Sequence, residues 1–178
     1  MRIISGKFKG KRLIAPKKLP VRPTTDMAKE ALFNILNNRF HIDELKIFDL
    51  FSGTGNISFE FASRGANEII AVDSYAGCTA YISKTAKELN VPITTIKSDV
   101  FKYLKRTPEK GNIIFADPPY SFETAQFLKI IDLVFEMELL LEDGLLIIEH
   151  SNQTELSGNQ FFTESRKYGG NLFSFFER

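Results

Sequence analysis

From Lys46 onward, short apolar runs alternate with helix-like segments, and no other feature restricts the fold of this chain as much. The runs Ile47 to Phe51, Glu68 to Asp73, Ile93 to Lys97, Asn112 to Ala116 and Leu145 to Glu149 read as strands, with helical segments near 56–64, 75–89, 100–105 and 123–138. Strands apolar along their whole length need cover on both faces, and β/α alternation supplies it by passing helices over a parallel sheet. After Glu149 the pattern changes. Segments 160–167 and 171–176 flank Gly169-Gly170, the mark of a closing antiparallel hairpin. The expectation is an α/β fold with a mostly parallel seven-stranded sheet and a C-terminal antiparallel hairpin.

Ahead of this region, Arg2 to Gly6 and Lys11 to Ala15 are extended-looking runs around Gly6 and Gly10, which read as an N-terminal β-hairpin extension. Pro16, Pro20 and Pro23 delay regular structure until Thr24-Thr25-Asp26, a set of helix N-caps. Ala28, Ala31, Leu32, Ile35 and Leu36 follow at helical spacing, predicting a buried stripe on a helix of about three turns. The expected organisation is a basic extension over 1–23 and a main domain over 24–178.

Charge supports that division. Arg2, Lys7, Lys9, Lys11, Arg12, Lys17, Lys18 and Arg22 stand in residues 1–22 without a single acid, in a chain of net charge +1, so the remainder is acidic. A basic extension on an acidic body suits a polyanion partner; the plainer alternative is a charged edge that resists aggregation. The one cysteine, Cys78, excludes an internal disulfide and reads as a buried filler. There is no 18-residue apolar run and no signal-peptide core, so the expectation is a cytoplasmic protein without a membrane partner.

Asp49-Leu50-Phe51-Ser52-Gly53-Thr54-Gly55 stands where the first parallel strand hands over to a helix. Glycine there permits positive φ and close approach of a ligand to backbone, and the helix start offers free N–H groups. Asp73 follows Gly55 by 18 residues, at the end of the next strand, where an acid can accept from both ribose hydroxyls. Together these residues describe a pocket for an adenosine-type nucleoside. Ser58 stands where a dinucleotide fingerprint wants Gly or Ala, and no G-K-[ST] follows, so NAD and ATP fit poorly. Ser98-Asp99-Val100 reaches the same edge after the third strand. Asp99 can accept from an adenine amino group, or it can simply cap the next helix.

The strand 112–116 runs directly into Asp117-Pro118-Pro119-Tyr120. The prolines stiffen this loop and remove N–H donors, leaving carbonyls available to a substrate. An exocyclic amine on guanine or adenine is a poor nucleophile because its lone pair is delocalised into the ring. Asp117 and the carbonyl of Pro118 can hold its two hydrogens and favour pyramidal nitrogen, and a fixed carboxylate stabilises the charge that develops on transfer. Tyr120 offers a face for the unpaired base.

With these residues in place, the chain resembles the Rossmann-like class I S-adenosylmethionine methyltransferases, and within them the bacterial RsmD family. Beyond the motifs above, the resemblance rests on Arg2-Ile3-Ile4-Ser5-Gly6, Lys9-Gly10-Lys11-Arg12-Leu13, Arg22-Pro23-Thr24-Thr25-Asp26 and Glu30-Ala31-Leu32-Phe33-Asn34-Ile35-Leu36. It implies methyl transfer from S-adenosylmethionine, leaving S-adenosylhomocysteine, to N2 of a guanine in 16S ribosomal RNA, alone or in the small subunit; a monomer is compatible with the core expected at this size, and with no Cys/His cluster of zinc-site spacing no metal is expected. It further implies that Asp49, Ser52, Gly53, Thr54, Gly55, Asp73, Asp99 and Val100 hold the cofactor and that Asp117 to Tyr120 act on the base. Arg2, Lys7, Lys9, Lys11, Arg12, Arg22, Thr24 and Thr25 would then meet RNA. Where the family carries further arginines after Asp26, this chain has Met27 and Ala28 and leaves Lys29.

The competing expectations are DNA adenine-N6 methylation, which uses a similar tetrad but for which the chain has no sizeable recognition insertion, and a catalytically silent RNA-binding assembly factor. His41 and His150 are given no catalytic work; His150 is expected in a capping or surface role.

Overall fold

The computed structural model describes residues 1–16, 18–19 and 24–178. Helix α1 (Asp26–Asn37) begins where Thr25 accepts a hydrogen bond from the Ala28 amide. Strand β1 (Lys46–Leu50) leads to α2 (Asn56–Ser63), β2 (Glu68–Asp73), α3 (Ala76–Leu89), β3 (Ile93–Lys97), α4 (Val100–Leu104), β4 (Gly111–Ala116), α5 (Thr124–Glu136), β5 (Leu140–Ser151), β6 (Phe162–Tyr168) and β7 (Asn171–Phe176). They form one seven-stranded sheet of order β3-β2-β1-β4-β5-β7-β6. The first five strands in this order are mutually parallel, and β7 and β6 close the sheet antiparallel, as the apolar runs and the Gly169-Gly170 turn predict.

Both faces are buried, which is why the central strands are apolar throughout. One face packs Leu50, Ile114, Ala116 and Ile148 against α4 and α5; the other packs Ile47, Ile113, Phe115 and Ile147 against α1 and α2. Phe173, Phe175 and Phe176 are core residues, and Cys78 is buried, as expected. The outer strand β6 carries Glu164, Arg166 and Lys167, charges that discourage edge pairing.

Four details differ from expectation. Strand β5 starts at Leu140 rather than Leu145, its first residues joined to the rest across a register shift against β4, where Asp143 takes a left-handed φ of 57°. The arms of the N-terminal hairpin pair without forming regular strands, through the Arg2–Arg12 bridge and bonds from Ile3 N to Lys11 O at 2.9 Å, Gly10 N to Ile3 O at 2.8 Å and Leu13 N to Met1 O at 3.0 Å, and the segment also docks on α2. There Ile4 and Ser5 amides donate to Glu60, Lys7 N donates to Ser63 O at 2.7 Å, and a Cβ on Gly6 would lie 1.9 Å from that same carbonyl oxygen. The buried stripe of α1 is Ala28, Lys29, Leu32, Phe33 and Leu36, with Ala31 and Ile35 only half-buried. Lys29 is therefore no RNA contact. Its ammonium donates to Arg2 O at 2.6 Å and Asn56 Oδ1 at 2.9 Å and pairs with Glu60 at 3.1 Å, which uses all three of its donors.

Candidate active site

Strand register gathers the acids. Asp49 of β1 lies opposite Ala71 of β2 and Phe115 of β4, and Phe115 lies opposite Ile147 of β5. Side chains return to the same face every second residue, so Asp73, Asp117 and Glu149, each two residues further, share the face of Asp49 at the carboxyl edge. Open α/β sheets bind their ligands at this edge. A cavity of about 620 Å³ occupies it, walled by Ser52, Gly53, Thr54, Asp73 and Tyr75, by Asp117 to Tyr120, and by Thr24, Asp49 and Asn56. That volume falls within the range of small-molecule sites. The glycine turn and the proline loop thus face one shared space.

The turn is held from below. Ser52 N donates to Val72 O at 3.0 Å, and Gly55, at φ 75°, has no room for a side chain because a Cβ would sit 3.0 Å from Ile82 and Phe59. Asp73 accepts from Gly53 N and Tyr75 N, each at 2.8 Å, so two backbone amides fix its carboxylate in the wall. Asp49 is buried under the turn, where its Oδ2 accepts from Ser58 N at 3.0 Å and Ser58 Oγ at 2.5 Å. Burial pushes its pKa up to about 7, against the pull of the Ser58 bonds and with a smaller push from Asp73. Ser58, the residue that argues against a dinucleotide, is thus the partner of Asp49.

A bound nucleoside cofactor suits this wall. Among the described residues, Ser52 Oγ is a buried polar atom with no hydrogen-bond partner, and it lines the cavity beside amides and the fixed Asp73 carboxylate. Such an orphan is costly unless a ligand satisfies it.

Across the cavity, Asp117 is half-buried and Tyr120 is 62% exposed at the rim. Burial first, then Glu149 and Asp49, raise the Asp117 carboxyl well above the ordinary range. Read from sequence, Glu149 is only a strand end; the signal that finds it is its register beside Asp117. It is buried, accepting from Thr24 Oγ1 at 2.8 Å and Asn171 Nδ2 at 2.5 Å. Thr24 is tied in further by its carbonyl, which accepts from Asn56 Nδ2 at 2.9 Å.

The remaining candidates divide. Thr24 lines the cavity, whereas Thr25 is exposed and spends its hydroxyl on the α1 cap. Arg22 lies outside the described residues. Lys7, Lys9, Lys11 and Arg12 are exposed, and Arg2 pairs with Asp26 at 2.9 Å. Asp99 caps α4 through Lys102 N at 2.9 Å, Val100 packs in the core, and neither is in the cavity wall. Ser98, just before them, donates its amide to Asp73 O at 3.1 Å. His150 is buried instead of superficial, its ring bonded to Ser174 Oγ at 2.7 Å and Ser151 O at 2.9 Å, and burial lowers its pKa toward the neutral imidazole.

The family model described as Conserved hypothetical protein 95 matches residues 1–177. Putative rRNA methyltransferase YlbH of Bacillus subtilis is 34% identical over 179 residues, covering 95% of this chain and 94% of that protein. Ribosomal RNA small subunit methyltransferase D of Escherichia coli is 30% identical over 150 residues, covering 84% and 74%. Among solved structures, the putative methyltransferase yhhF from Escherichia coli superposes with a TM-score of 0.86 at 25% identity, over 100% of this chain and 97% of that one. A Thermus thermophilus 16S rRNA guanine-N2 methyltransferase, RsmC, in complex with AdoMet and guanosine, shares the fold with a TM-score of 0.69 at 19% identity, over 90% and 45%.

Proposed function

This chain belongs to the RsmD family, the one described as Conserved hypothetical protein 95, and on that premise we propose that it transfers a methyl group from S-adenosylmethionine to N2 of a guanine in 16S ribosomal RNA. The observation that carries this reading is the single cavity shared by the glycine turn and Asp117. The rRNA methyltransferase names of the relatives and the AdoMet and guanosine of RsmC support it.

S-adenosylmethionine, when bound, supplies a methyl group activated on a sulfonium. The turn from Ser52 to Gly55 over Asp49 is assigned to its amino-acid end, Asp73 to its ribose hydroxyls, and Asp99 and Val100 to its adenine end. Opposite, Asp117 and the Pro118 carbonyl hold the two hydrogens of the target amine, so that its lone pair faces the donor, and Pro119 keeps the loop stiff. Alignment at near-attack distance removes much of the entropic barrier. Methyl transfer would leave S-adenosylhomocysteine and place positive charge on the nitrogen; ionised Asp117 would stabilise this charge more than the neutral ground state and accept the departing proton. Activity therefore rises with pH through the elevated Asp117 titration. Tyr120 stacks on the base, worth about 1–3 kcal/mol.

Residues 1–23 form the RNA-gripping extension in this reading, with Arg2, Lys7, Lys9, Lys11, Arg12 and Arg22 toward phosphates and Thr24 and Thr25 toward the cleft. The protein is proposed to act as a monomer in the cytoplasm, on 16S rRNA or the small subunit, without a metal. No helix among the described residues is long and apolar enough to cross a membrane.

The test is Asp117→Ala. Transfer of labelled methyl to small-subunit rRNA should vanish while calorimetry records an unchanged affinity for S-adenosylmethionine; undiminished turnover would remove Asp117 from the chemistry.

A further inference from the structure

Basic residues are not confined to the N-terminal extension. In a remainder that is acidic overall, residues 100–110 contain Lys102, Lys105, Arg106 and Lys110 against one acid, Glu109. That acid is already engaged, accepting from Lys46 Nζ at 2.5 Å, and Lys110 lies 3.9 Å from Glu138. Lys102, Lys105 and Arg106 are exposed, and among the described residues they form no ion pair. Lys102 and Arg106 line one concavity of about 330 Å³ together with Ile96 and Tyr103. Lys129 of α5 adds a fourth exposed cation, its ammonium 5.0 Å from the centre of the Phe101 ring on α4.

This surface is fastened to the cavity. Phe122, two residues past Tyr120, stacks on Phe101 with ring centroids 6.0 Å apart and meets Phe51 edge-on at 5.5 Å. Phe51, beside the glycine turn, is itself in the cavity wall. An aromatic seam therefore runs from the cavity to the cations of α4 and α5.

Its place relative to the extension matters more than its charge. The extension packs Ile3 and Leu13 against Phe59 of α2 and Ile82 of α3, whereas α4 and α5 cover the opposite face of the sheet. The cavity lies at the carboxyl edge between the two faces. A ligand that touches both basic surfaces must pass over that edge, across the mouth. A mononucleotide is too short for this, and a flat anionic bilayer meets one face only. A flexible chain of phosphates fits, because a strand with one base in the cavity leaves it in two directions.

Resting on the rRNA reading above, we infer that Lys102, Lys105, Arg106 and Lys129 form a second phosphate-binding surface, which holds the rRNA strand on the side of the cavity away from the N-terminal extension. Exposed ammonium and guanidinium groups suit this work. Phosphate contacts position a nucleic acid without reading its sequence, and each one releases counterions.

The experiment replaces Lys102, Lys105 and Arg106 together by Gln, then measures binding to small-subunit rRNA across a salt series and kcat and KM for methyl transfer. The slope of log affinity against log salt should become shallower by about two to three. KM for rRNA should rise with kcat retained, and affinity for S-adenosylmethionine should not change. If these side chains serve only to complete α4, Tm falls and the slope stays. A second variant, Lys84→Gln with Lys87→Gln and Lys110→Gln, removes the same charge from exposed sites toward the amino edge of the sheet and should keep the wild-type slope. The inference is overturned by an unchanged slope in the first variant, by an equal change in both, or by a first variant that loses phosphatidylglycerol vesicles and keeps rRNA. In each of these cases methylation of rRNA by the wild type leaves the rRNA reading standing. Wild-type protein that neither binds nor methylates rRNA would overturn both.

Discussion

Glu60 and Asp117 are both acids withdrawn from water within one small protein, and their surroundings are opposite. Glu60 is enclosed by the Lys29 ammonium at 3.1 Å, the Arg64 guanidinium at 2.9 Å and the amides of Ile4 and Ser5. Asp117 has Glu149 and Asp49 as its charged neighbours. The first arrangement is neutralised in place and fastens the N-terminal segment, α1 and α2 together. In the second, burial and the neighbouring acids raise the Asp117 carboxyl, so that its ionised form is favoured when an electropositive group enters. Such local violations of favourable electrostatics mark functional positions.

The largest effect that would sharpen this contrast is on stability. Glu60→Ala strands Lys29 in the core and should cost about 3–5 kcal/mol, a fall of roughly 10 °C in Tm. Asp117→Asn, in contrast, should leave Tm unchanged or raise it, since it removes a desolvated charge. Thermal unfolding of both variants decides, and a comparable loss at Asp117 would break the distinction between the two acids.

A smaller effect concerns Asp49. Its pKa of about 7 in the folded protein exceeds the ordinary 3.8, so folding binds this proton more tightly than the unfolded chain does. The stability it contributes is complete below about pH 4 and is lost as pH rises to about 7. Asp49→Asn should flatten the pH dependence of stability in that window by on the order of a few kcal/mol, as measured by chemical denaturation at pH 5 and pH 8. An unchanged slope would mean that Asp49 stays ionised beneath the turn.

How far these two regions can be read from sequence differs for a physical reason. The β/α alternation is visible because strands buried on both faces must be apolar, and β2 and β3 have the expected bounds. Asp73 and Asp117 are visible because each ends such a run. Lys29 is not: a charge on an amphipathic helix reads as a solvent face, and its partner Glu60 belongs to another helix. Glu149 is equally hidden, because its meaning depends on which residue of β4 it stands beside, and register is a tertiary fact. The α4 cap by Asp99 is one of two readings open to a strand-end Asp, and only coordinates show which bond its carboxylate makes.

The smallest effect belongs to the exposed basic residues. Replacing Lys7, Lys9 and Lys11 by Gln should weaken rRNA binding and reduce the slope of log affinity against log salt by about one for each phosphate left without its lysine, with Tm unmoved. A slope equal to that of the wild type would assign these side chains to the surface alone and leave the polyanion to another face.

The central claim, that a carboxylate at 117 and a methyl donor on the glycine turn meet in one cavity to modify rRNA, is tested most directly by mass mapping of 16S rRNA from cells lacking the protein. One guanine should be without its methyl group, regaining it when the wild-type chain is returned and not when Asp117→Ala is returned. A full complement of methyl groups in those cells, or restoration by the variant, would contradict it.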